Sequence, residues 1–177
     1  MEDQKNTTLK STMNYGLLLG LALILFSLIL YIFDVYDPPT WVTVLNYAVV
    51  FAGIVYGTIK HRDDDLGGEI SYGKALGTGV LITLFASIIS SFFILILSTV
   101  IDPSYMENIY RVMEEAMYEQ GLTMDQIDDA MVMMQKFQNP VVMFIMGVVG
   151  FTFFGTLFSL ITSIFIKKEK PLFDQED

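Results

Sequence analysis

Three stretches of this 177-residue chain carry residue types that could do chemistry. GEISYGKALGTG, Gly68–Gly79, is one residue short of G-x-x-x-x-G-K-[ST], the loop whose backbone N–H groups cradle phosphates. Gly68, Gly73 and Lys74 match, while Ala75 stands where a magnesium-binding hydroxyl belongs. Just before it, His61, Asp63, Asp64, Asp65 and Glu69 offer oxygen-rich ligands for a hard cation. Between Met106 and Met134 lie seven methionines, whose soft thioethers suit copper(I).

Each chemistry needs a setting that the flanking residues must supply. A phosphate loop follows a strand, opens a helix and belongs to an α/β domain. Here long apolar segments lie on both sides, and no strand ending in a second acid exists outside them. The aspartate run lacks the ligand alternation of a twelve-residue calcium loop, so it reads as solvated charge. The methionines recur at helical spacing with no nearby histidine or cysteine, which marks them as adaptable packing residues. The chain has no cysteine, which excludes disulfides, thiolate nucleophiles and cysteine-ligated metals. No catalytic, cofactor-binding or metal residue is therefore assigned, and neither a nucleotide nor a nucleic-acid partner is expected.

The elements around these stretches are apolar blocks: 53% of residues are hydrophobic and 17% charged, the composition of an integral membrane protein. Four segments are long enough to cross a bilayer: Met13–Phe33, Trp41–Ile59, Ala75–Ile101 and Val141–Ile166. Each is apolar around its whole circumference, unlike a soluble core helix. The first is too long for a signal-peptide core and precedes no A-x-A-like cleavage site, so it reads as a retained span. The expected fold class is all-α: one membrane domain, residues 1–177, forming a four-helix bundle.

Lysine and arginine in the flanks set the orientation. Lys5, Lys10, Lys60, Arg62, Lys74, Lys167, Lys168 and Lys170 lie on one face, against Arg111 and Lys136 on the other. The loop 60–74 and both tails are thus expected to be cytoplasmic, and the connection 102–139 extracytoplasmic. Tyr31, Tyr36, Trp41 and Tyr72 fit interfacial anchoring.

Membrane helices associate through close packing of small residues, and every span carries a ridge of them. The sets are Gly16/Gly20, Gly53/Gly57, Gly79/Thr83/Ser87/Ser91 and Gly155/Ser159/Ser163, each on one helical face. They predict intramolecular packing, with homodimerisation through a spare ridge as the alternative. No ionisable residue lies in a central section, which argues against proton relays and most coupled transport. Asn46 is the one strongly polar side chain well inside a span, read as an interhelical hydrogen-bonding group.

Residues 102–139 predict an amphipathic hairpin folded onto the bundle as a lid. Asp102 would cap its first helix with Pro103 in the first turn, and Gly121 would stop it. Thr123 and Gln126 would form a capping box, and Asn139-Pro140 would end the second helix. Met106, Ile109, Tyr110, Met113 and Met117 make one apolar stripe; Met124, Ile127, Met131, Met134 and Phe137 make the other. Glu107, Arg111 and Glu115 are spaced as outer-face ion pairs. Eight acids against two bases disfavour adhesion to anionic lipid.

In the glycine stretch, Gly67-Gly68 would reverse the chain, Ser71 would cap the third span, and Gly73 and Gly77 would admit a neighbouring helix. Lys74, with Lys60 and Arg62, sits where anionic headgroups would attract it. The loop RDDDLGGEISYGKAL, the IDP closing span three, the N-P before span four and the terminal IKKE together resemble Domain of Unknown Function 4199. The resemblance runs from about Tyr15 to Lys168, and its most specific element is GG-x-I-S-[YF]-G-K-A, Gly67–Ala75. It implies a small four-helix protein of the bacterial inner membrane and no reaction.

The expectation is a non-enzymatic membrane protein acting through lipid or protein contacts, in assembly, regulation or envelope maintenance. Gly67, Gly68, Ser71, Gly73 and Lys74 form the candidate interaction surface, with a membrane-protein partner or a second copy against it. The alternative is a small transporter or channel subunit working as an oligomer.

Overall fold

The computed structural model describes residues 2–169, with side chains from residue 8 onward; Lys170 and the side chain of Lys5 lie outside the described residues. Six α-helices follow in order: α1 (Glu2–Ile32), α2 (Thr40–Lys60), α3 (Tyr72–Ile96), α4 (Tyr105–Glu119), α5 (Met124–Gln135) and α6 (Pro140–Ile166). Two π turns, His61–Asp65 and Leu97–Ile101, extend α2 and α3. Stretches of four helices, Thr8–Ile32, Thr40–Asp65, Tyr72–Ile101 and Pro140–Ile166, are long and apolar enough to cross a bilayer. The described residues form no strand; one antiparallel bridge joins Ile70 to Lys168.

Two boundaries differ from the sequence reading. α1 runs back to Glu2, and the segment 60–74 is loop only in its middle, because the helix of α2 continues through the π turn to Asp65. Side chains one turn apart support that extension: Lys60 pairs with Asp64 at 3.7 Å and His61 with Asp65 at 2.8 Å.

α3 is the central helix, packed most extensively against α6 on one side and α1 on the other. The small-residue ridges make these seams. A Cβ added to Gly16 would come within 2.8 Å of the Ile82 carbonyl oxygen, and one added to Gly79 within 2.5 Å of Ser159 Oγ. A Cβ on Gly155 would overlap the Thr83 side chain. Two seam hydroxyls are satisfied within their own helices: Thr83 donates to the Gly79 carbonyl at 2.6 Å and Ser159 to the Gly155 carbonyl at 2.8 Å. Across the seam, the Ser87 and Thr152 hydroxyls meet at 3.1 Å. Leu19, Leu23, Val50, Ile54, Ile82 and Ala86 fill the space between α1, α2 and α3. Gly73 and Gly77 do not belong to a seam: nothing lies within 4 Å of a Cβ at either, so they admit no helix.

The hairpin forms but does not lie across the bundle. α4 pairs with α5 and meets the bundle at the second π turn and at Tyr105, whose ring stands 6.0 Å from Tyr31 and 5.8 Å from Tyr36. Ile127 is its one buried side chain; the methionines are half-buried or exposed. Asp102 does not cap α4 itself. It caps the turn ahead of it, with Oδ1 accepting from the Ser104 N–H at 3.0 Å and the Ser104 hydroxyl at 2.5 Å, and Ser104 takes the N-cap position. Thr123 N–H donates to Gln126 Oε1 at 3.0 Å, as a capping box requires. Arg111 turns to Asn108 at 3.3 Å, not to Glu107 or Glu115, since an exposed ion pair gains little over a neutral acceptor. Asn139-Pro140 starts α6 as well as ending the hairpin: Asn139 Oδ1 accepts from Val141 N–H at 2.9 Å, with proline at the first helical position.

Two outcomes test this packing. Gly155→Val should cost about 1–3 kcal/mol through overpacking against Thr83, lowering the unfolding temperature in detergent, whereas Gly77→Ala should leave it unchanged or higher. Ser104 holds the Asp102 carboxyl below its ordinary range, first through its hydroxyl and also through its N–H. That stabilisation is present above the ordinary value of about 3.9 and lost as pH falls through the lowered one. Protection of the Ser104 amide, its exchange rate relative to the unstructured rate at the same pH, should therefore fall below about pH 4 and stay flat from about pH 5 to 8.

Candidate functional site

The polar side chains singled out in the sequence meet at the end of the bundle where α2 turns into α3. His61 opens the first π turn, and its ring is 1% exposed. Its Nδ1 stands 2.8 Å from Asp65 Oδ2, and the same carboxylate accepts a hydrogen bond from the Ser11 hydroxyl on α1. With Asp65 ionised, Nδ1 carries the proton and the ring is fixed in one tautomer. Burial makes the carboxylate necessary, because an unpartnered ring N–H there would forfeit its water without replacement.

The neighbouring aspartates turn away from this pair. Arg62 donates to Asp63 through Nε at 2.7 Å and through Nη2 at 3.1 Å, while Asp64 faces Lys60. Consecutive residues of a helix diverge, by about 100° in an α-helix and somewhat less in a π turn, so the three adjacent carboxylates point in different directions. His61, Asp63, Asp64 and Asp65 thus form three separate pairs, not a ligand sphere; among the described residues, no three acidic, histidine or cysteine groups are placed to hold a metal.

Three hydrogen bonds tie this end to the last turn of α6. Arg62 Nη1 donates to the Ile166 carbonyl at 3.1 Å, satisfying one of the carbonyls a helix leaves open at its C-terminus. Ile70 and Lys168 exchange N–H···O bonds, both at 2.9 Å. Beneath them Ile70, 2% exposed, packs with Ala75 and Ile166 as a plug over the helix ends.

The five residues proposed as an interaction surface lie above this plug. Gly67 (φ +68°) and Gly68 (φ +87°) take left-handed conformations that glycine enters without a steric cost. Ser71 occupies the N-cap position of α3 with extended backbone, but its hydroxyl makes no capping bond. Lys74 is the third helical residue, as expected. Gly67, Ser71, Gly73 and Lys74 are exposed and Gly68 is half-buried, so all five share one end of the bundle.

The sequence reading missed the coupling of His61, Asp65 and Ser11, and the bonds from Arg62 and Ile70 to the end of α6. Two signals existed. His-x-x-x-Asp has the spacing of one helical turn, and Ile70 is the single aliphatic residue between Gly68 and Tyr72.

Four bilayer-length helices around small-residue seams, tied together at one end, define a multi-pass membrane protein. The chain belongs to the family described as Protein of unknown function (DUF4199), whose family model matches residues 14–168. The match ends on the residue that bridges to Ile70. No curated protein and no solved structure matches the chain.

The His61 cluster and the exposed pair should behave differently under mutation. Asp65→Ala leaves a buried ring N–H and the Ser11 hydroxyl unpaired and should cost about 1–3 kcal/mol in unfolding. Asp64→Ala removes an exposed pair and should cost under about 0.5 kcal/mol. Equal effects in the same melting experiment would contradict the assignment.

Proposed function

We propose that this protein is a non-enzymatic component of a bacterial inner membrane that works by contact, in assembly, regulation or envelope maintenance. In this reading both termini and the α2–α3 connection are cytoplasmic, and the α4–α5 hairpin is extracytoplasmic. Eight basic residues against two in the flanks support that orientation. The docking surface comprises Gly67, Gly68, Ser71, Gly73 and Lys74, and it takes a membrane-protein partner, a second copy of this chain or lipid headgroups.

One observation carries the reading. The surface is held from below by Ile70, the Ile70–Lys168 bridge and the Arg62–Ile166 bond, yet no atom lies within 4 Å of a Cβ at Gly67, Gly68 or Gly73. A rigid, uncovered patch beside a lysine suits reversible contact, since little ordering entropy is lost on binding. The second reading, a transporter or channel subunit, draws on two cavities beside Asn46 in the other half of the bundle. Beyond them the seam is closed, because Thr83, Ser87 and Ser159 have no exposed surface. A water path would then have to run between copies.

Site-specific photo-crosslinking in native membranes tests the docking surface. Crosslinkers at Ser71 and Gly73 should give the same discrete adduct, lost in Lys74→Glu, while one at Glu119 should not. Absence of adducts from both loop positions would contradict it. Orientation is checked with membrane-impermeant thiol reagents on Gly67→Cys and Glu119→Cys in the cysteine-free chain. They should react from opposite sides, and reaction from one side would overturn the topology.

A further inference from the structure

The half of the bundle nearest the hairpin is not packed like the other half. Two cavities, of about 250 and 520 Å³, open there, and Asn46, Gly147 and Phe151 line both. The smaller lies among all four long helices, where Ser27 of α1 and Ser91 of α3 join Asn46. The larger runs between α2 and α6, walled by Phe26, Val50, Phe154 and Phe158. Asn46 was expected to bridge helices, and it does not. Among the described residues, no side-chain hydrogen bond is made by Asn46, Ser27 or Ser91, although Ser90 beside them bonds the Ala86 carbonyl at 2.8 Å. An amide and two hydroxyls facing an apolar cavity at the edge of the hydrocarbon need a partner, since neither the apolar wall nor an acyl chain offers one.

We propose that this cleft is a lipid-binding site: one membrane glycerolipid of the hairpin-side leaflet places an ester carbonyl on the Asn46 amide and an acyl chain between α2 and α6. Depth and shape both select this occupant. Asn46 lies six residues into α2 from Thr40, about 9 Å along the axis. With Trp41 at the interface, the amide falls near the border between headgroup layer and hydrocarbon, a few ångströms either way. Ester carbonyls of glycerolipids sit at that border, and the acyl chain continues into the core. The larger cavity has a volume typical of ligand sites and an aromatic and aliphatic wall, suited to a chain and not to water. Tyr47, Met146 and Phe154 at its rim are 46%, 57% and 51% exposed, so the site is entered sideways from the bilayer. No charged side chain lines either cavity, which leaves the headgroup outside the recognised portion.

The full-length protein reconstituted in vesicles with a phospholipid carrying a photoreactive acyl chain provides the test. Labelling should concentrate on α2 and α6 peptides containing Asn46 and Gly147, fall at least threefold in Asn46→Leu, and persist in Asn46→Gln. The double variant Ser27→Ala/Ser91→Ala, which removes no bulk, should reduce labelling less than Asn46→Leu. Circular dichroism melting of each variant separates lost binding from lost fold. Three outcomes would overturn the proposal. Labelling spread evenly over the exposed faces would mean only boundary lipid. Reaction of Ser27→Cys or Ser91→Cys with an aqueous thiol reagent would mean a water-filled cavity. A disulfide-linked dimer through Asn46→Cys would mean that a second copy fills the cleft.

Discussion

Close approach of α3 to α1 and α6 is the constraint on which the remaining architecture depends. Lipid tails solvate leucine as well as protein does, so hydrophobicity alone gives these helices no reason to associate. Backbone proximity supplies it instead. Gly16 and Gly20 bring α1 onto α3; Gly79, Thr83 and Gly155 bring α3 onto α6. At the middle of the α3–α6 seam the Thr83 and Ser159 hydroxyls bond to their own helices and leave no donor unsatisfied, whereas Ser163, one turn further along, keeps a buried hydroxyl without a partner.

The seams also divide the molecule along its length. Toward the α2–α3 connection the helices converge, and Ile70, Arg62 and Lys168 tie the chain reversal to the end of α6. His61 and Asp65 then join α2 to α1 through Ser11, so the four long helices are fastened at that end. Toward the hairpin cavities open around Asn46 and polar groups appear without partners, although α3 and α6 still meet at Ser91 and Gly147. The fastened end is where the proposed contact surface lies, and the end with cavities is where the proposed lipid site lies.

The spans, the seam glycines and the two-helix hairpin were legible in the sequence because each depends on local pattern: apolar length, four-residue spacing, and caps such as Thr123 with Gln126. What failed depended on distance in sequence or on competition between partners. Gly73 and Gly77 have the spacing of a packing ridge, but they lie on the face of α3 that no helix covers. Asn46 was expected to bond a neighbour, yet the span in front of it is held away by the cavity. The candidate surface was legible through its glycines and lysine, whereas its support was not, since Ile166 and Lys168 stand about a hundred residues further on. The three adjacent aspartates read as solvated charge, but the pairing of Asp65 with buried His61 could not be told from the run.

The arrangement of α3 against α6 can be measured directly in a chain with no cysteine. A Cβ at Gly147 would stand 3.4 Å from Ser91 Cβ, close to the separation a disulfide spans. Ser91→Cys/Gly147→Cys should therefore oxidise in native membranes to an intramolecular disulfide. Cleavage in the α4–α5 hairpin would then leave the two halves joined until reduction. The pair Phe92→Cys/Val149→Cys, on outward faces, should stay reduced. Failure of the first pair to close, or closure only between copies, would contradict the seam on which the fold is built.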